Sequence, residues 1–270
     1  MISMAIASLS SFAAVGSKSN DVNHSVSGTA RVQDLIYGYV VDETSALPDF
    51  AKIKNVQKRK ELFIEHLAPI VTSVNYKISS KRNRLGEIYN LSDWRDKDIS
   101  FVKRHMDDYG IKNSNDLAKV KSKETLNQLL KKIDIVPLPL TLAQAAIESG
   151  WGTSRFAKEA NNLFGQWCYK KGCGVIPNKR NENAAHEVRK FITIEESVRK
   201  YMYNLNTHRA YSDLREIRHQ NRHIGDKIEL SSKIAEGLEK YSQKGRAYID
   251  IINSIINDKN FTKHIKGEKS

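Results

Sequence analysis

The stretch that most constrains this 270-residue chain runs from Leu138 to Gly165, LPLTLAQAAIESGWGTSRFAKEANNLFG. It opens as an apolar helix. Leu140, Ala143 and Ile147 recur at i, i+3 and i+7, and Leu142, Ala145 and Ala146 fill most of the remaining circumference. A helix that is apolar nearly all round belongs inside a core. Pro137 and Pro139 stand where a helix begins, not in its interior. Two polar side chains interrupt the apolar surface, Gln144 and Glu148, four apart and therefore on one face. Two glycines in Ser149-Gly150-Trp151-Gly152 then break the helix, and Thr153 or Ser154 can cap a second, short one. A carboxyl group is thus expected at the end of a buried helix, at a kink, beside a tryptophan. Partial desolvation there would raise its pKa and suit it to general acid chemistry. The plainer alternative is a partly exposed glutamate at a helix end, since structural carboxylates occupy such places too.

The rest of the composition bounds the class. Hydrophobic residues make up 40% of the chain, enough for a core, while 5 prolines and 14 glycines disfavour an all-β or low-complexity protein. The net charge of +13 suits an anionic partner: nucleic acid, an anionic membrane or an acidic polymer. No zinc-finger spacing, aromatic RNA-binding run or helix-turn-helix pattern stands out, so nucleic acid is not the expected partner. Met1 to Gly16 carries no charged side chain and is too short to span a bilayer. With small residues at positions a signal peptidase reads but no basic start, residues 1–16 read as a clipped signal peptide. No other apolar run approaches spanning length, so no stable membrane insertion is expected.

Along the chain, residues 17–54 read as a linker or arm. Asn55 to Tyr89 keeps helical spacing through Leu62, Leu67, Ile70, Val71, Val74, Ile78, Leu85 and Ile88, with a kink expected at Pro69. Lys77, Lys81, Arg82 and Arg84 would form its solvated basic face. Helices follow over Asp98 to Tyr109, stopped by Gly110, and over Ser114 to Lys132, with a break near Ser122. Trp167 to Lys190 differs: its glycines, Pro177 and polar tract predict a β-hairpin lobe with strands near Gly174-Val175-Ile176 and His186 to Phe191. Helices are expected again over Ile194 to Leu205, Tyr211 to His219, Ser231 to Tyr241 and Ala247 to Ile256, with residues 259–270 as a tail. The chain divides accordingly into a helical region, 55–132, and a second region, 133–258. The expected class is mainly α with one small β-lobe.

The segments A-Q-A-A-I-E-S-G-W-G-T-S and N-N-L-F-G resemble the glucosaminidase family of peptidoglycan hydrolases. The likeness continues through Gln166-Trp167-Cys168, His186-Glu187-Val188, Phe191 and Asn204-Leu205-Asn206-Thr207-His208. This longer run resembles the Bax-like branch of that family, from Gram-negative bacteria, and covers roughly Pro137 to Leu214. The resemblance implies a lysozyme-like α+β catalytic domain over 133–258, with a cleft between the helical lobe and the hairpin running past Glu148. It implies a peptidoglycan hydrolase, an endo-β-N-acetylglucosaminidase acting as an exported monomer on glycan strands, with no metal and no cofactor. Glu148 would be the general acid. Tyr211 matches a family tyrosine beside the catalytic glutamate. A second carboxylate, where one is used, would come from the β-lobe as Glu187 or Glu182, and the substrate's own N-acetyl group is the other route.

Gln144, Trp151, Asn162, Phe164, Gln166 and Trp167 are the candidate substrate contacts. The aromatics offer flat faces to a sugar ring, with core packing as the alternative. The amides can bond an acetamido group, or instead tie down a loop. Cys168 and Cys173, the two cysteines of the chain, bracket a short glycine-containing loop. A disulfide is the natural reading in an oxidising compartment. A metal site with His186 lacks a clear fourth ligand, and no His and Asn pattern marks either cysteine as a nucleophile. The rival functions are a muramidase or amidase on the same polymer, a wall-binding module without catalysis, and a cytoplasmic basic protein that binds nucleic acid.

Overall fold

The computed structural model describes residues 47–178 and 186–266. The expected signal segment, most of the linker and Glu182 lie outside the described residues.

The fold is built around a long helix, α1 (Val56–Tyr89), capped by the Asn55 side chain, which accepts from the Lys58 N–H at 2.9 Å. Its buried stripe runs from Phe63 to Ile88, and the helix continues through Pro69. Then come α2 (Asp96–Asp108), α3 (Leu117–Val120) and α4 (Lys123–Lys132). The break before α4 falls at Ser122, whose hydroxyl accepts from the Thr125 N–H at 3.1 Å, an N-cap that starts a new helix. Next are α5 (Leu138–Ser149) and α6 (Arg155–Ala160). After the β-lobe the chain forms α7 (Ile194–Thr207), a 3-10 turn at Arg209–Tyr211 and α8 (Ser212–Gln220). It ends in α9 (Lys227–Ala235), a 3-10 turn at Glu236–Leu238, α10 (Arg246–Ile256) and α11 (Lys259–Lys266).

Helix α5 is the central element, as its all-round apolar surface requires. Leu140, Leu142, Ala143 and Ala145 are fully buried, and the helix packs against α1, α9 and α10. The helices on either side of residue 133 share one hydrophobic core. The expected tail is in large part α11, an amphipathic helix docked on α1 with Phe261 buried. Its charged residues hid it from a reading of hydrophobic density.

The lobe is a three-stranded antiparallel sheet in the order β1-β3-β2, made of β1 (Trp167–Cys168), β2 (Gly174–Val175) and β3 (Glu187–Arg189). Cys168 pairs with Glu187, and Val175 with Val188. The hairpin read from the sequence therefore gains a strand: Trp167-Cys168 is too short to show a period of two. Gly174 is required here, because a Cβ on it would lie 1.9 Å from the Val188 carbonyl oxygen. The mainly α, lysozyme-like architecture with a small β-lobe is thus present. Among the described residues no helix is long and apolar enough to cross a membrane.

The basic face expected on α1 is not wholly solvated. Arg82 is drawn inward to the carbonyls of Leu130 and Ile133 and sits 3.4 Å from Asp134. Arg84 binds the buried carboxylate of Asp98. Asp134 lies in the link between α4 and α5, and Arg222 reaches it at 2.6 Å. Arg218, buried on α8, donates to the carbonyls of Lys131, Asp134 and Ile135 and, at 2.8 Å, to the Asn206 side chain. Burial lowers the Arg218 pKa to about 10 against the opposing pull of Asp134, so it still carries its charge at neutral pH. This network satisfies the carbonyls of the link and fixes where α5 begins.

Candidate active site

The carboxyl group of Glu148 sits in the last turn of α5, and the turn beyond it follows from local chemistry. Gly150 caps the helix at φ +58° and Trp151 N–H closes back to the Ala146 carbonyl at 2.8 Å. The Ser149 hydroxyl donates to the Ala145 carbonyl at 2.6 Å and accepts from Gly152 N–H at 2.8 Å. Gly152 has φ +77°, and a Cβ there would lie 2.5 Å from the Phe50 ring. Trp151 itself takes φ +57°, a conformation that L side chains disfavour. The chain reverses within four residues and leaves Glu148 half-buried at the end of the helix.

One oxygen of Glu148 is held from α10: Tyr248 Oη donates to Oε1 at 2.8 Å. The other lies against the loop after α6, where a Cβ on Gly165 would stand 3.8 Å from Oε2. Burial pushes the Glu148 carboxyl above the ordinary glutamate range, and the Tyr248 bond and the Lys244 charge oppose that rise. Tyr248 accepts in turn from Gln144 Nε2 at 3.2 Å, and Gln144 Oε1 accepts from Tyr201 Oη at 2.5 Å. These bonds form a directed chain, Tyr201 to Gln144 to Tyr248 to Glu148. Because Gln144 donates to Tyr248, the phenolic hydrogen is left for Glu148.

More phenols complete the surroundings. The Tyr241 ring stacks on Tyr248 with centroids 5.5 Å apart, and Tyr211 lies 5.9 Å from Tyr241. Burial raises the Tyr211 phenol, and the Glu148 charge adds to the rise, so the two groups are electrostatically coupled. Tyr211 is set by its own segment: His208 Nδ1 accepts from Ala210 N–H at 3.2 Å, and Arg215 on α8 donates to the Leu205 and His208 carbonyls. Burial likewise holds Tyr201, Tyr241 and Tyr248 protonated.

The remaining sequence candidates have varied surroundings. Gln144 shares the Glu148 face as its spacing predicts, but it is fully buried and its amide is spent on Tyr201 and Tyr248. Asn162 is buried; its Nδ2 donates to the carbonyls of Gln166 and Arg189, both at 2.9 Å, and its Oδ1 accepts from Gln166 N–H. Gln166 donates to the Ser197 carbonyl at 3.0 Å. Both amides therefore tie the N-N-L-F-G loop to β3 and α7, the second of the two readings open from sequence. Phe164 is core, stacked on Tyr201 at 3.9 Å. Trp151 packs edge-on with Phe63 and Phe261. Trp167 is 54% exposed and stacks on His186, which leaves it open on the β-lobe.

Glu187 is buried, and both its oxygens accept backbone N–H groups, from Gly172 at 2.9 Å and Gly174 at 2.8 Å. It shapes the lobe. Cys168 and Cys173 form a disulfide with Cα atoms 6.3 Å apart. Their sulfurs and a Glu187 oxygen lie within 4.8 Å of one another, but the sulfurs are bonded to each other and present no thiolates to a metal. Sequence reasoning missed Tyr248, Tyr241 and Gly165. Tyr248 lies 100 residues beyond Glu148 in a helix where a tyrosine reads as ordinary core, so no local signal marks it.

The chain matches the family model described as mannosyl-glycoprotein endo-beta-N-acetylglucosaminidase over residues 123–261, a span that includes Glu148, Tyr211 and Tyr248. It is similar to protein bax of Escherichia coli (strain K12), 34% identical over 216 residues, which cover 80% of this chain and 75% of that protein. No solved structure matches it significantly. A glutamate at the end of a buried helix, a tyrosine bonded to it from a distant helix, and a family match spanning both lead to one conclusion: the chain belongs to the glucosaminidase family.

Proposed function

We propose that the protein is a peptidoglycan hydrolase, an endo-β-N-acetylglucosaminidase that cleaves the β-1,4 bond after N-acetylglucosamine, with Glu148 as general acid. The observation that carries this reading is the half-buried Glu148 carboxyl, raised by burial and held through one oxygen by Tyr248. Protonated Glu148 gives its proton to the departing glycosidic oxygen, and the sugar left behind takes on oxocarbenium character. Both oxygens of Glu187 are engaged by the lobe's own backbone. That favours the substrate's N-acetyl group as the nucleophile, with Tyr211 orienting it. The disulfide and the family suit an exported, periplasmic protein, and the +13 charge suits a polymer that carries carboxylates.

Digestion of purified peptidoglycan, followed by borohydride reduction and mass spectrometry, tests the reading. Fragments ending in reduced N-acetylglucosamine are expected. Reduced muramic acid ends would make the protein a muramidase. Free peptides would make it an amidase, and binding without soluble fragments a wall-binding module.

A further inference from the structure

A cavity of about 210 Å³ opens where the first turns of α1, the end of α10 and the start of α11 meet the Glu148–Gly152 turn. None of the tyrosines around Glu148 lines it. One wall is apolar, made by Ile64, Trp151 and Phe261. The rim is polar, with the side-chain amides of Gln57 and Asn260 and the ammonium of Lys60. Lys60 Nζ stands 5.0 Å from the centre of the Trp151 ring, over its face. Asp258 also lines the cavity, but its Oδ1 is occupied as the cap of α11, accepting from Phe261 N–H at 2.9 Å. His264 is turned to Glu61 at 3.5 Å.

An apolar wall of this kind takes the carbon face of a pyranose ring. Amides match an acetamido group, which needs one donor and one acceptor: Gln57 Nε2 already donates to Glu61 at 3.3 Å, so Gln57 offers its oxygen and Asn260 can supply the donor. A lysine held over an indole, at the mouth of a small cavity, is placed to meet a carboxylate. The volume is below the roughly 300–1,000 Å³ of pockets that enclose drug-sized ligands, so the cavity would grip one sugar unit and not a chain. We propose that this cavity is an accessory saccharide site that takes a carboxylate-bearing, N-acetylated sugar. The choice of polymer supplying that sugar rests on the reading of the protein as a peptidoglycan hydrolase, whose muramyl units carry that pair of groups. A second grip on the same strand raises overall affinity without new contacts at the catalytic cleft. Trp151 is also part of the turn that follows Glu148, so an occupant would press on the backbone that positions the acid.

The test uses the full chain carrying Glu148→Gln, labelled with nitrogen-15, and follows the tryptophan indole signals during titration with the disaccharide N-acetylglucosaminyl-N-acetylmuramic acid. The Trp151 signal is expected to shift saturably, and to shift less at equal concentration with the neutral N-acetylglucosamine disaccharide. Lys60→Gln with Asn260→Ala, both at the rim, should weaken the Trp151 response at least tenfold while the Trp167 signal on the β-lobe responds as before. A Trp151 signal that stays still, or that titrates identically in the rim variant, overturns the proposal. Peptidoglycan digestion by the unmutated chain runs beside it. Digestion with a silent Trp151 removes only the accessory site. A responsive Trp151 without digestion removes the hydrolase reading and leaves a saccharide-binding pocket.

Discussion

At the scale of single residues, the proposed chemistry rests on Glu148. Glu148→Gln keeps the shape and one acceptor for Tyr248 but has no acidic proton, so clearance of peptidoglycan should fall by about 100- to 10,000-fold, the usual worth of a positioned acid. Its pKa is raised by burial, so kcat/KM should fall with rising pH only above the range of an ordinary glutamate. Tyr248→Phe removes a bond that favours the ionised carboxylate. The alkaline limb should move to higher pH, and the rate should drop by about 10- to 100-fold if the bond is worth that of a typical charged hydrogen bond. The same shift bears on stability. A carboxyl whose pKa is higher folded than unfolded contributes stability at low pH, and that contribution is lost as pH rises through the folded value. Glu148→Gln should therefore melt at a higher temperature than the parent at neutral pH, with the gap closing below the pKa of a free glutamate. Tyr211→Phe should cost activity ~10-fold or more, beyond the loss in Glu187→Gln or Glu182→Gln, in assays on proteins shown to be folded by circular dichroism.

At the scale of elements, the turn after α5 and the β-lobe carry the strain and the fastening. Gly150→Ala forces a Cβ into a left-handed position at φ +58°, a cost of about 1–2 kcal/mol. Gly152→Ala adds a collision with Phe50 and should cost more in urea unfolding. The lobe rests on the Cys168–Cys173 bond and on Glu187 bridging two backbone N–H groups. Reduction of a disulfide closing so short a loop should lower stability by about 2–3 kcal/mol in the chain-entropy model. Amide exchange should then speed up at Gly172 and Gly174 well before it does in α5, because the lobe lies outside the main hydrophobic core.

At the scale of the whole molecule, one core joins the helices before residue 133 to those after it, and α11 closes that core over α1. Phe261→Ala should destabilise the protein by about 3–5 kcal/mol, the range for emptying a buried aromatic, and urea melts would read it directly. A solvated tail would show no change. The charge of +13 acts over longer distances and is screened by salt, so binding of the Glu148→Gln protein to peptidoglycan should weaken steadily as ionic strength rises.

What the sequence determined by itself was whatever rests on local pattern. The spacing of Leu67, Ile70, Val74 and Ile78 marked α1, Ser122 marked the break before α4, and the all-round apolar run with its two glycines marked α5 and the partly desolvated end that bears Glu148. The cysteine pair allowed a disulfide in an oxidising compartment, and the structure forms it. The tertiary structure decided the partners. Tyr248 reaches Glu148 across 100 residues, Arg82 turns inward because Asp134 and two carbonyls await it, and Asn162 ties a loop it was equally able to leave for a sugar. The two-residue strand Trp167-Cys168 exists because β3 supplies its hydrogen bonds. Periodicity and capping act over a turn or two of chain and can be read in line. A long-range hydrogen bond depends on where two distant segments are packed, and only the assembled core sets that.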